Sequence, residues 1–171
     1  MTKSFRLTNL CIILILVLSS CSSKVLPTPL LKAGSDMQTF NMQINFKKQS
    51  FSGMLIVQHR TDNEIRIVAS TFFGPTLFDF GLKDGQFNIY SCIEPLHNKG
   101  VIRLFENDFK KIFLSNQAFR KIKSHEEYTE HISGRIFGKS IFQTFKSQNN
   151  GFEKLTIKHP WIGAVISLER L

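Results

Sequence analysis

Residues 51–92 read FSGMLIVQHRTDNEIRIVASTFFGPTLFDFGLKDGQFNIYSC, and their pattern decides the fold. From Phe51 to His59 both faces are apolar, with Phe51, Gly53, Leu55 and Val57 on one and Met54 and Ile56 on the other. Such a strand is expected to be covered on both sides. Thr61-Asp62-Asn63 turns the chain, and Glu64 to Thr71 follows as a strand with Ile65, Ile67 and Ala69 on one face. Phe72 to Thr76 forms a loop, and Leu77 to Leu82 is the next strand. Lys83-Asp84-Gly85 is a hairpin turn, because Asp-Gly supplies the positive φ that tight turns need. Gln86 to Cys92 closes a meander whose short connections require antiparallel pairing.

The pattern extends both ways. Upstream, Phe40, Met42, Ile44 and Phe46 alternate with polar residues, the signature of a half-buried strand. Downstream the period changes. Between Val101 and Ser115, Ile102, Phe105, Phe109, Ile112 and Phe113 recur at spacings of three and four, opposite Arg103, Glu106, Lys110 and Lys111. This is an amphipathic helix, expected to pack on the sheet rather than lie on a membrane, since a half-covered sheet needs a partner. Asn116 to Glu130 is polar and carries no clear period. Strands resume at Ile132–Phe137 and Ser140–Lys146, turn at Asn149-Asn150-Gly151, and end with Phe152–His159 and Trp161–Leu168.

The first residues carry a different message. Lys3 and Arg6 precede the apolar run Leu10–Leu18, then Ser19-Ser20 and Cys21. Basic start, apolar middle and small residues describe a secretory signal peptide. The run is far shorter than the roughly 20 residues that span a bilayer. Leu18-Ser19-Ser20-Cys21 resembles the lipobox of bacterial lipoproteins, which implies cleavage before Cys21 and acylation of its thiol. The expected division is signal peptide 1–20, lipidated linker 21–35 and one α+β domain 36–171. Pro27 and Pro29 favour an extended linker.

The chain has formal net charge +9, of which Lys3 and Arg6 leave with the leader. The basic residues are dispersed, with Lys47-Lys48 and Lys110-Lys111 as isolated pairs, so nucleic acid is not an expected partner. Cys11 leaves with the leader and Cys21 takes lipid, so Cys92 stands alone and no intramolecular disulfide is expected. Cys92 reads as a small core residue. His125 and His131 flank Glu126, Glu127 and Glu130 without a zinc-site spacing, so no metal and no cofactor is expected. Asp79 alternates away from Phe78 and Phe80 and reads as an exposed strand residue. No phosphate loop or nucleophile elbow occurs, and an enzyme is not expected.

Phenylalanine is abundant, 17 against one tryptophan. So many rings either pack a dense core or line an apolar cavity. The stretches Phe51–Val57, Ile65–Ala69 and Phe73–Phe80 resemble the LolA/LolB-like superfamily of lipoprotein carriers and receptors, over about a quarter of the chain. That resemblance implies a strongly curved antiparallel sheet, an open half-barrel, with a helix across it and an acyl-chain cavity between. Phe46, Leu55, Val57, Ile67, Phe78, Phe80, Phe105 and Phe109 are the cavity candidates. Phe72, Phe73 and Leu77 are the membrane-contact loop, although Thr76 follows Pro75 where the family carries an exposed apolar residue. The expected function is a membrane-anchored, non-catalytic binder of lipid or lipoprotein acyl chains. The alternative is an accessory envelope lipoprotein that binds another envelope protein. Ser22 after the cysteine points to the periplasmic face of the outer membrane.

Overall fold

A computed structural model describes residues 29–32, 36–46, 48–114, 118–146 and 152–171. The expected cleavage and acylation site, the linker around it and the Asn149-Asn150-Gly151 turn lie outside these residues. Strands β1 (Gln38–Phe46), β2 (Gln49–His59), β3 (Glu64–Thr71), β4 (Thr76–Lys83) and β5 (Gln86–Cys92) precede helix α1 (Lys99–Phe113). Strands β6 (Lys121–Ser124), β7 (Tyr128–Ser133), β8 (Ser140–Lys146), β9 (Phe152–His159) and β10 (Ala164–Arg170) follow it. All belong to one antiparallel sheet, ordered β5-β4-β3-β2-β1-β10-β9-β8-β7-β6.

The sheet is open. β5 and β6 are its two edges and do not meet. Every residue of β6 is exposed and two of its four are lysines, which blunts that edge against pairing with another chain. The expected half-barrel is therefore wrong: the sheet neither closes nor curls into a cup.

One face of the sheet carries α1. Asn98 caps the helix, its side chain accepting from the Gly100 N–H at 2.9 Å, and Lys110 and Lys111 sit in the last turn, where cations suit the helix dipole. Its buried stripe is Phe105, Phe109, Ile112 and Phe113. These rings meet those of the sheet directly. Phe78 stacks on Phe80 at 4.5 Å between ring centres and meets Phe105 at 5.1 Å, and Phe109 packs on Phe105 at 5.8 Å.

The supposed acyl-chain cavity is thus filled. Leu55, Val57, Ile67, Phe78, Phe80, Phe105 and Phe109 are all buried in the core. The void left among Phe78, Phe105, Phe109 and their neighbours is about 10 Å³, space for a water at most. An acyl-chain carrier function falls with the cavity. Leu77 is also misassigned as a membrane-contact residue, being only 4% exposed at the start of β4.

The other face holds a polar cluster on β3, β4 and β5. Arg66 grips Asp79 with two contacts, 2.6 and 2.7 Å, so Asp79 is half-buried and paired rather than freely exposed. Asp79 holds the Arg66 guanidinium above its usual pKa. That guanidinium also lies 3.5 Å over the Tyr90 ring, and the Tyr90 hydroxyl donates to buried Glu64. Gly81 makes room for this: an added Cβ would collide with the Glu64 carboxylate and the Tyr90 ring. Gly81→Ala is expected to cost about 1–3 kcal/mol through overpacking, read as a lower urea midpoint with unchanged slope.

Candidate functional site

Strand direction gathers four hairpin turns at one end of the sheet: β1–β2, β3–β4, β7–β8 and β9–β10. The β5–α1 connection reaches the same end, where Ile93 N–H donates to Leu77 C=O at 2.9 Å. Register then ranks the turns. Phe46 pairs with both Gln49 and Ala164, Ala164 pairs with His159, and Ser133 pairs with Ser140. The β1–β2, β9–β10 and β7–β8 turns are therefore level. The β3–β4 turn is set back, because Thr71 pairs with Gly53, several residues short of Gln49.

The turns expose large apolar side chains. Ile136 is 81% exposed and Phe137 91% in the β7–β8 turn, and Trp161 is 47% exposed in the β9–β10 turn. Phe73, 97% exposed, and Phe72 occupy the set-back β3–β4 turn. The β7–β8 loop is pinched at its base. Gly134 and Gly138 have φ of 74° and 91°, and a Cβ on Gly134 would strike the Gly138 carbonyl. Glycine thus permits the narrow loop that displays Arg135, Ile136 and Phe137.

Beside Trp161 runs an apolar groove of about 270 Å³ between the start of α1 and the ends of β1, β2 and β10. Phe46, Phe51, Leu96, Val101 and Ile162 line it with Trp161. Phe46 and Phe105 are the former cavity candidates that reach this groove. Its volume lies at the lower edge of the roughly 300–1,000 Å³ of ordinary ligand pockets.

Among the described residues, a buried polar chain is the feature that most suggests chemistry. His159, fully buried, contacts Asp108 Oδ2 of α1 through Nε2 at 2.9 Å and Ser140 Oγ of β8 through Nδ1 at 3.1 Å. Burial raises the Asp108 pKa against the pull of His159. The residue types match a hydrolase triad, but the ring is reversed: there serine bonds Nε2 and the carboxylate bonds Nδ1. The void beside Asp108 admits no substrate. The chain ties the helix to the sheet. Sequence gave no signal for it, since the three residues are scattered.

Phe72 and Phe73 are exposed where sequence placed them, in the loop before β4. Ile136, Phe137 and Trp161 were missed, being read as strand residues. His125 stacks on Tyr128 at 4.5 Å, and His131 lies against Phe119 at 5.0 Å, its pKa lowered by burial. Cys92 packs partly buried against the core, which raises its thiol pKa. Among the described residues no three His, Cys, Asp or Glu side chains gather as a metal site, and no helix is long and apolar enough to cross a membrane.

No protein-family model matches this chain, and no curated protein does. The LolA/LolB likeness is therefore withdrawn on both counts, the absent match and the uncurled sheet. Among solved structures, the chain is similar to a DUF1329-family protein from Desulfovibrio piger. The identity is 8%, the match covers 80% of this chain and 84% of that one, and the TM-score is 0.32. A likeness at that level carries no argument about fold or activity.

Proposed function

We propose that this chain is a non-catalytic interaction module, held at a membrane of the cell envelope by lipid on Cys21 and acting by contact at its turn-bearing end. The observation that carries the reading is the gathering of Ile136, Phe137 and Trp161 on level turns beside an apolar groove. Isolated exposed apolar residues are ordinary, whereas a group at one end marks a contact surface. The filled core argues against a small-molecule carrier, and the sealed Ser140–His159–Asp108 chain against a hydrolase. The anchor rests on the sequence pattern Leu18-Ser19-Ser20-Cys21.

A photo-crosslinking residue placed at Phe137 in the full chain, in cells, tests the reading. Adducts with lipid or an envelope protein are expected there and not from Asp84 at the opposite end. Equal labelling from both positions would refute a directed surface. Metabolic labelling with palmitate, lost in Cys21→Ser, checks the anchor in the same cells.

A further inference from the structure

The turn-bearing end is sorted by charge as well as by polarity. Lys48 lies in the β1–β2 turn, Arg135 and Lys139 in the β7–β8 turn, and Arg120 precedes β6 at the same level, its N–H donating to Ile132 C=O; Lys48, Arg120 and Arg135 are exposed and Lys139 is half-buried. Glu94, in the β5–α1 connection, is the one carboxylate at that end among the described residues. Acids lie at the opposite end instead, mixed with cations such as Arg60, Lys83, Lys146 and Lys154. Asp62 and Asp84 sit in the β2–β3 and β4–β5 turns, Glu126 and Glu127 between β6 and β7, and Glu153 and Glu169 on the paired ends of β9 and β10.

We propose that this end rests on an anionic lipid surface. Ile136, Phe137 and Trp161 enter the headgroup layer, while Lys48, Arg120, Arg135 and Lys139 meet lipid phosphates. The proposal depends on the surface-contact reading above and names its partner. Three features favour lipid over protein. The apolar groups stand on projecting tips, whereas a protein interface of standard size asks for about 800 Å² of fitted surface per partner. The cations surround the tips, as basic residues do where apolar side chains enter an anionic leaflet. Tryptophan is at home at the bilayer interface, with an apolar body and one polar N–H. No acyl chain leaves the bilayer, so no cavity is needed.

Geometry allows the anchor and the turns to share one membrane. Leu31 N–H donates to Ile112 C=O, which fixes the entering chain near the C-terminal end of α1, away from the turns. Extended, the stretch from Cys21 to Pro29 reaches at most about 28 Å. The helix it must pass is about 22 Å long.

Trp161 is the only tryptophan and reports its own surroundings. The full acylated chain, purified from membranes, is reconstituted into vesicles of brominated phosphatidylethanolamine and phosphatidylglycerol, or of brominated phosphatidylcholine alone. Trp161 emission is expected to shift to the blue and to be quenched about twofold or more in the anionic vesicles, with less quenching in the neutral ones or at high salt. Ile136→Ser with Phe137→Ser should return quenching to the neutral level while the urea midpoint stays unchanged. Weak quenching of equal size in both compositions overturns the proposal. If crosslinks from position 137 then still reach a protein, the surface-contact reading survives with a protein partner. If they do not, both fall.

Discussion

Asp108→Ala is expected to destabilise the domain by about 3 kcal/mol, because it leaves the buried His159 Nε2 without a partner. Equilibrium urea unfolding measures the loss, with the slope unchanged if cooperativity is intact. The cost comes from the orphaned ring more than from the lost bond. Replacing both groups with apolar ones, as in Asp108→Leu with His159→Phe, should therefore recover most of it. Ser140, also buried, loses its contact with Nδ1 in that double variant, so recovery stops short of complete. Strong non-additivity in this cycle is the sign of a directly coupled pair. Two single losses that simply add would show that Asp108 and His159 act separately.

The pair also sets a pH dependence. Desolvation raises the Asp108 pKa above 3.8, so this carboxyl favours the folded state in acid. That contribution is full below the unfolded value and is lost as pH rises through the folded value. Asparagine stays neutral throughout. The stability advantage of the parent over Asp108→Asn should therefore shrink as pH rises above 3.8. An advantage that grows with pH would mean that His159 dominates the site.

Strands that alternate were legible: β1 to β5 fall within two or three residues of their sequence bounds, and Asp84-Gly85 takes the expected positive φ of 51° and 77°. The helix was legible from its Phe105, Phe109, Ile112 and Phe113 spacing. β6 and most of β7 were not, since an all-exposed edge strand has no buried face to impose alternation. The site itself was misread for a related reason. Ile136, Phe137 and Trp161 are apolar residues adjoining true strands, so they extend the strand pattern when they are in fact turn tips. Gly134 and Gly138, bracketing the first two, were the available sign of a turn. Sheet curvature left no trace, because Phe-rich strands look the same around a cavity or a packed core. The resemblance chose the cavity, and side-chain volume decided otherwise.

Phe78→Ala tests that choice most sharply, with an expected loss of about 3–5 kcal/mol. The Phe78 ring is fully buried and touches Phe80, Phe105 and Phe109 at 4.5, 5.1 and 6.0 Å between centres. Its removal strips sheet-to-helix contacts and enlarges the void of about 10 Å³ that it already borders. For a domain of this size each kcal/mol lowers Tm by about 2–4 °C, so a fall of about 6–20 °C is expected in a thermal scan. Phe73→Ala, only a few residues away, removes the same ring from a 97% exposed position and should change stability by less than about 0.5 kcal/mol. Were residue 78 the wall of an open lipid cavity, its ring would face empty space and its loss would resemble that of Phe73. A large difference between the two variants follows only if the helix and sheet are in direct contact through Phe78. That contact holds the start of α1 beside β1 and β10, and so gives the groove at Trp161 its inner wall.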